Sequence, residues 1–217
     1  MKKIMFDDHY GLTKAVLEGR KTMTRRIVPE CKALYVLRLW KQNEGAIATG
    51  YEEKTQSFRF DYCPDKKRRI SIDHLNLIPS YKVGEVVAVA QRYSDLSWDQ
   101  SYYDMLCDMC ELRPQYELAG WDNKMFVKAE LMPHLIRITD VRVERLQDIS
   151  DEDCLKEGII EYAPCCECGS ELYAFERADD VWDTPREAFA ALIDKISGKG
   201  TWSKNPWVYA CTFELVK

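Results

Sequence analysis

"GRKTMTRR", residues 19–26, is the stretch of this sequence that most constrains its fold. It carries four cationic side chains and two hydroxyls but no carboxylate, although the 217-residue chain has a formal net charge of −5. Just before it, Leu12, Ala15 and Val16 lie at helical spacing, and Gly19 is typical of a helix end. We therefore expect a short helix over residues 9–18, followed by a turn into the basic stretch.

Lys21 and Thr24 are the two residues of this stretch that could do chemistry together. Their spacing brings them to one side only if the chain curls there, because an extended strand would put them on opposite faces. Neighbouring arginines or burial would lower the pKa of Lys21, and a neutral lysine could take the proton of a threonine hydroxyl. The arginines could bind an anion or stabilise an oxyanion. The alternative interpretation is a solvated basic turn.

Composition limits the class of protein. Hydrophobic residues make up 46% of the chain, with six Trp and twelve Tyr, which is enough for a folded core in one domain with elaborations. No apolar run near Met1 resembles a signal peptide, and no segment approaches the roughly 20 apolar residues of a membrane span. We expect a soluble, cytoplasmic protein with no membrane partner. The acidic balance argues against broad binding to a nucleic-acid backbone, but not against a local basic patch.

Strand and helix signals along the rest of the chain favour an α+β fold. Alternating patterns predict strands over residues 86–90, 135–143 and 207–216. Ser150 and Thr184 are good N-caps, so we expect helices after each of them, ending near Gly158 and Gly198. Few helices and long connections suggest a mostly antiparallel sheet, and closure into a small barrel would remove its edges.

The basic stretch resembles the signature of the ASCH family, which is related to the PUA-like RNA-binding barrels. Three later segments are similar to the family in the same order: 83–89, 141–159 and the stretch Trp202-x-x-Asn205-Pro206-Trp207, which resembles ASCH proteins of phages and prophages. The resemblance implies one ASCH domain over residues 1–217, α+β with a small PUA-like β-barrel and flanking helices. Insertions would then lie near residues 31–79, 94–129 and 160–183.

The resemblance also implies a function. Some small ASCH proteins are amidohydrolases that remove the acetyl group from acetylcytidine, and their catalytic lysine, threonine and glutamate match Lys21, Thr24 and Glu157. Thr24 would attack the acetyl carbonyl, Lys21 would take its proton, and Glu157 would shuttle a proton to the leaving amine. Other family members only bind RNA or act as coactivators, so a non-catalytic RNA-binding or phage accessory module is the alternative.

Further residues are expected to contact the RNA or modified nucleoside. Near the start of the last strand, the aromatic rings of Trp202 and Trp207 could stack on an unpaired base and Asn205 could read its edge, or this group with Pro206 could instead plug the end of a barrel. The expected substrate contacts are Arg20, Thr22, Arg25, Arg26, Asn205 and Trp207.

Nine cysteines, an odd number without a secretory signal, do not indicate a disulfide framework. Two C-x-x-C pairs, Cys107 with Cys110 and Cys165 with Cys168, could supply the four thiolates of a structural zinc site. The 54 residues between the pairs exceed the usual zinc-ribbon spacing, so unliganded thiols and a redox pair stay as alternatives. A zinc site here would clip one insertion to another. No organic cofactor is expected.

Overall fold

The computed structural model of the chain describes residues 1–28, 47–52, 57–62, 70–71, 79–96, 119–162 and 171–216. Its strands are β1 (Lys3–Ile4), β2 (Met23–Ile27), β3 (Ile47–Glu52), β4 (Ser57–Tyr62), β5 (Ile70–Ser71), β6 (Val86–Val89), β7 (Leu135–Arg145), β8 (Ile160–Tyr162), β9 (Leu172–Ala174) and β10 (Trp207–Leu215). Its α-helices are α1 (Leu12–Leu17), α2 (Asp151–Lys156), α3 (Pro185–Ser197) and α4 (Thr201–Lys204). The predicted α+β class is therefore confirmed.

The main sheet has five strands in the order β1-β6-β7-β10-β2. The pairing of β1 with β6 is parallel, and the pairings of β6 with β7, β7 with β10 and β10 with β2 are antiparallel. Within the described part of the chain this sheet is open, since β1 and β2 form its two edges and no closed barrel is found. Two small antiparallel sheets, β3-β4-β5 and β8-β9, lie in the segments predicted to be insertions.

The element boundaries follow the local signals in the sequence. The first helix begins at Leu12 rather than at His9, and the chain turns after it at Gly19, whose φ is 74°. Both predicted N-caps are confirmed, because the hydroxyls of Ser150 and Thr184 each accept a hydrogen bond from the backbone N–H three residues on. Strand β1 and helix α4 carried no signal that the sequence analysis used.

Strand β6 divides the core into two clusters, as strand alternation requires. Val87 and Val89 face the larger cluster, which joins the sheet to α3 through residues such as Phe189. Ala88 and Ala90 face the smaller cluster. The larger cluster fixes α3 against the sheet beside β2, where the candidate site lies.

The register of β10 determines which residues of β2 and β7 share a face. Ala210 of β10 pairs with Arg25 on one side and with Arg142 on the other. Directly paired residues point to the same face of a sheet, so Arg25 and Arg142 flank a small alanine. The short alanine side chain leaves room above it, which the guanidinium of Arg25 can occupy.

In the described residues, no helix is both long enough and apolar enough to pass through a membrane.

Candidate functional site

A pocket of about 230 Å3 lies where β2, the end of α2, helix α3 and the segment after β1 meet. The three residues predicted to be catalytic, Lys21, Thr24 and Glu157, all line it. They are far apart in the sequence but all are buried, with between 2% and 5% of each residue exposed. The structure thus brings the predicted amine, hydroxyl and acid to one hollow.

Lys21 and Glu157 form a buried ion pair. The Lys21 Nζ donates to Glu157 Oε2 at 2.6 Å and to the backbone carbonyl of Glu157 at 2.6 Å. That carbonyl belongs to the C-cap of α2, where helix carbonyls lack partners and a positive charge is favourable. Burial lowers the pKa of Lys21, and the opposing attraction of Glu157 does not fully offset it.

Backbone contacts between two turns place Lys21 beside Glu157. The N–H of Lys21 donates to Ala15 O, and the N–H of Thr22 donates to Lys156 O, each at 2.9 Å. Gly158 suits this position, because its φ of 105° is unfavourable for other residues and a Cβ there would lie only 3.2 Å from Leu12 Cδ2. The turn after α1 is therefore tied to the end of α2.

Thr24 lies in β2, opposite Cys211 of β10. Lys21 precedes this strand in the turn, so the two residues reach one pocket although their offset would separate them in a continuous strand. Among the described residues, the Thr24 hydroxyl makes no hydrogen bond, and none joins it to Lys21. The hydroxyl is thus available to a ligand.

Arg25 is surrounded by carboxylates. Its Nη2 donates to Glu144 Oε1 at 2.6 Å and to Asp153 Oδ2 at 3.1 Å, and its Nη1 donates to Glu157 Oε1 at 3.1 Å. Burial acts to lower the pKa of Arg25, but Glu157 and Glu144 outweigh burial and raise it. We call Arg25, Glu144, Asp153 and Glu157 the arginine clamp.

Asp153 is held by the same arginine from the first turn of α2. Burial alone would raise the pKa of this carboxyl, but hydrogen bonds from Arg25 and from the partly exposed Arg142 outweigh burial and lower the pKa. The backbone N–H of Asp153 donates to the Ser150 hydroxyl, and this hydrogen bond caps α2. The residue links helix capping to the clamp.

Arg26 also lines the pocket, but its contacts differ from those of Arg25. Its Nη2 donates to the carbonyl of Met5 at 2.6 Å, and its guanidinium carbon lies 5.7 Å from the centre of the Phe6 ring. No carboxylate pairs with Arg26 within the described part of the chain. It is the predicted substrate contact whose charge is best placed for a ligand.

The opposite wall of the pocket is apolar. Helix α3 contributes Phe189, Leu192, Ile193 and Ile196, at the spacing that places them on one face of a helix. The pocket therefore joins a charged wall to a hydrophobic one, an arrangement typical of small-molecule sites.

Arg20 and Thr22, also predicted to contact substrate, do not line this pocket. Arg20 is exposed and pairs with Glu18 at 2.7 Å. The backbone carbonyl of Thr22 accepts from Phe213 N at 2.8 Å, which secures β2 against the end of β10. Their contacts hold the turn around Lys21.

Asn205 and Trp207 lie in a separate corner, not in the lining of the pocket. Asn205 Oδ1 accepts from the N–H of Gln147 at 2.8 Å, and its backbone carbonyl accepts from Arg145 Nη1 at 3.1 Å. The guanidinium carbon of Arg145 lies 4.3 Å from the Trp207 ring centre. We call Asn205, Trp207, Arg145 and Gln147 the β10 corner.

The zinc prediction falls outside the described residues, since Cys107, Cys110, Cys165 and Cys168 all lie there. Within the described part of the chain, no group of three or more His, Cys, Asp or Glu side chains is arranged to hold a metal ion. The described cysteines Cys154 and Cys211 are buried, and burial raises the pKa of each thiol to about 12.

The sequence analysis missed Glu144 and Asp153 as site residues. Glu144 directly follows the alternating stretch predicted over residues 135–143, and Asp153 is one of the acids after the predicted N-cap Ser150. Their meeting with Arg25 depends on β10 lying between β2 and β7, which no local pattern reveals.

Comparison of the chain with models of protein families, with curated proteins and with solved structures finds no match.

Proposed function

We propose that this chain is an ASCH-type domain of PUA-like ancestry, which recognises RNA or a modified nucleoside in the pocket and hydrolyses an N-acylated cytidine. The observation that carries the proposal is the 2.6 Å contact between Lys21 and Glu157 in a pocket that Thr24 also lines. An amine, an acid and an available hydroxyl are the groups that acyl transfer to a threonine requires. The resemblance of residues 19–26 to the family signature supports the same assignment.

The chemistry follows from these groups. In its neutral form Lys21 takes the proton of the Thr24 hydroxyl while Thr24 Oγ1 bonds to the acyl carbon of the substrate. The carbon–nitrogen bond then breaks, and the proton held by the Lys21–Glu157 pair passes to the departing amine. Water next attacks the threonine ester, its proton returns to Thr24 Oγ1 by way of the pair, and the carboxylic acid leaves. Arg26 is the residue placed to bind negative charge on the ligand.

The dimensions of the pocket favour a small substrate. A volume of about 230 Å3 is below the range of about 300–1,000 Å3 that is common for drug-sized ligands. One flipped-out base with a short acyl group suits this volume, with its ring against the apolar wall of α3 and its acyl carbonyl toward the charged wall. A duplex does not fit such a hollow.

Incubation with N4-acetylcytidine tests the proposal. We expect release of cytidine and acetate, with kcat/KM lowered at least about 100-fold in Thr24→Ala, Lys21→Met and Glu157→Gln. Thr22→Ala is the matched control, because it removes a neighbouring hydroxyl that does not line the pocket, and it should stay within about twofold of wild type. Equal losses in Thr22→Ala and Thr24→Ala would contradict the role of Thr24.

A non-catalytic nucleoside- or RNA-binding module is the second candidate. It is favoured by the arginine clamp, in which Arg25 is fully paired with carboxylates, because buried ion pairs of this kind also occur as purely structural elements. Calorimetric binding of cytidine or short RNA without turnover of N4-acetylcytidine would support this module. The absence of both binding and turnover would reject both candidates.

The proposed zinc site is tested separately, by metal analysis of purified protein, in which less than about 0.2 zinc per chain would reject a four-thiolate site.

A further inference from the structure

Apart from Glu157, the arginine clamp consists of charged groups to which the proposed chemistry gives no role. The Arg25 side chain is only 1% exposed, and it contacts carboxylates from β7 and from both ends of α2. An arginine placed on substrate would need free donors toward the pocket. Here Nε and Nη2 both donate to Glu144, at 2.9 and 2.6 Å, and Nη1 donates to Glu157 and to the sulfur of Met23.

The clamp divides the two oxygens of Glu157 between two cations. Oε1 accepts from Arg25 at 3.1 Å, and Oε2 accepts from Lys21 at 2.6 Å. Rotation or protonation of this carboxylate would break a buried charge-assisted hydrogen bond, which is costly where water cannot replace it. These two contacts therefore hold the Glu157 carboxylate in its orientation.

We propose that Arg25, braced by Glu144 and Asp153, is a positioning residue that holds the Glu157 carboxylate turned toward Lys21, so that Lys21 alone exchanges protons with the ligand. This inference rests on the proposed function and refines it. Lys21 takes the proton of the attacking hydroxyl and returns it to the leaving amine, while Glu157 remains a carboxylate throughout. Atoms balance without a protonated Glu157, because Lys21 carries the Thr24 proton to the leaving amine during acylation and returns one proton of the attacking water to Thr24 Oγ1 during hydrolysis.

The charges around Lys21 determine the direction in which its titration midpoint should move in each variant. Glu157 faces it from the end of α2, and Arg25 and Arg26 act on it from β2. Behind Arg25 lie Glu144 and Asp153, with Arg142 and Lys156 on the outer side of Asp153. Loss of the Arg25 charge should make it harder to deprotonate Lys21. Loss of the Glu144 charge should make it easier.

The experiment is an NMR titration of the Lys21 side chain in 13C-lysine-labelled full-length protein without ligand, with the signal assigned from Lys21→Arg. We expect the midpoint to rise by at least about 0.5 pH unit in Arg25→Gln and to fall in Glu144→Gln. Arg25→Lys, which keeps the charge, should restore most of the wild-type midpoint. Arg20→Gln is the matched control at an exposed arginine and should leave the midpoint unchanged.

Three results would overturn the proposal: an unchanged midpoint in Arg25→Gln, shifts of the same sign in Arg25→Gln and Glu144→Gln, or a protonated Glu157 carboxyl signal at pH 7 in a second wild-type sample labelled with 13C-glutamate. If Arg25→Gln does not fold, the sign of the shift in Glu144→Gln and the Glu157 signal decide the question. The titration needs no turnover. A protein that shows the expected shifts but leaves N4-acetylcytidine intact would therefore contradict the proposed function and not the clamp.

Discussion

The pocket and the β10 corner were both predicted to bind the ligand, yet their polar groups are used differently. In the pocket, the Thr24 hydroxyl has no partner among the described residues and lies beside a buried ion pair. In the β10 corner, Asn205 joins the end of α4 to Arg145, the last residue of β7, and to Gln147 through two hydrogen bonds. A polar side chain can serve a ligand only where a cavity meets it and its hydrogen-bonding capacity is not already used. The pocket meets both conditions.

The largest expected effect is on stability, and it comes from the charged wall of the pocket. Arg25→Gln leaves the buried carboxylates of Asp153 and Glu157 and the half-buried carboxylate of Glu144 without their shared cation, so we expect the free energy of unfolding to fall by about 3–5 kcal/mol. Urea denaturation followed by circular dichroism measures it. Arg20→Gln, at the exposed pair with Glu18, should cost no more than about 1 kcal/mol. Similar losses in both variants would show that the clamp is not a buried network.

Asp153→Asn should have the next largest effect, with a defined pH dependence. Because the folded protein lowers the pKa of Asp153 below its ordinary value of 3.8, its contribution is present at neutral pH and is lost as pH falls through the folded value. We expect the variant to be about 2 kcal/mol less stable than wild type at pH 6. The difference should shrink below about pH 4.

Denaturation midpoints of wild type and Asp153→Asn, taken from pH 6 to pH 3, give this difference. Asp151→Asn is a suitable control, since it changes an exposed acid in the same helical turn. A difference that grew toward low pH would contradict the assigned direction.

Asn205 allows a matched pair of substitutions in the β10 corner. Both Asn205→Ala and Asn205→Gly remove the acceptor of the Gln147 N–H, but only alanine also strains the left-handed backbone at φ 45°. We expect losses of about 1.5 kcal/mol for Ala and about 1 kcal/mol for Gly. Calorimetric affinity for cytidine should be unchanged in both. A weakened affinity would mean that this corner does contact the ligand.

The smallest expected effect concerns the cation–π contact of the same corner. Arg145→Gln removes the guanidinium that lies 4.3 Å from the Trp207 ring centre and that also donates to the Asn205 carbonyl, and the two losses together should cost about 0.5–1 kcal/mol. Thermal unfolding measures the loss. Turnover of N4-acetylcytidine, if the proposed function holds, should be the same as in wild type.

Local signals predicted much of the fold because each acts within a few residues. The caps at Ser150 and Thr184 and the turn at Gly19 depend on neighbouring backbone groups, so helices α1, α2 and α3 were predictable. Strand β1 is only two residues long and pairs with β6 across more than 80 residues of chain. A strand of two residues is too short to show an alternating pattern in the sequence. It forms only because the tertiary structure places it beside β6.

The predicted site residues differ in how much of their surroundings the sequence could reveal. Lys21, Thr24 and Glu157 were predicted from a resemblance, and they do share a pocket. The assignment of Arg25 to substrate rested on its charge alone, and the structure directs that charge to three carboxylates instead. Charge can be read from sequence, whereas the partner that neutralises it cannot.

By itself, the sequence determined the basic, carboxylate-free turn, the caps, the alternating strands and the α+β class, because each depends on short-range propensity and hydrogen bonding. Tertiary structure alone decided that β10 lies between β2 and β7 and that the end of α2 meets the turn before β2. Those contacts join residues more than 60 positions apart, and they form only when the buried core makes ordering the chain favourable. That long-range packing turned Lys21, Thr24 and Glu157 into the lining of a single pocket.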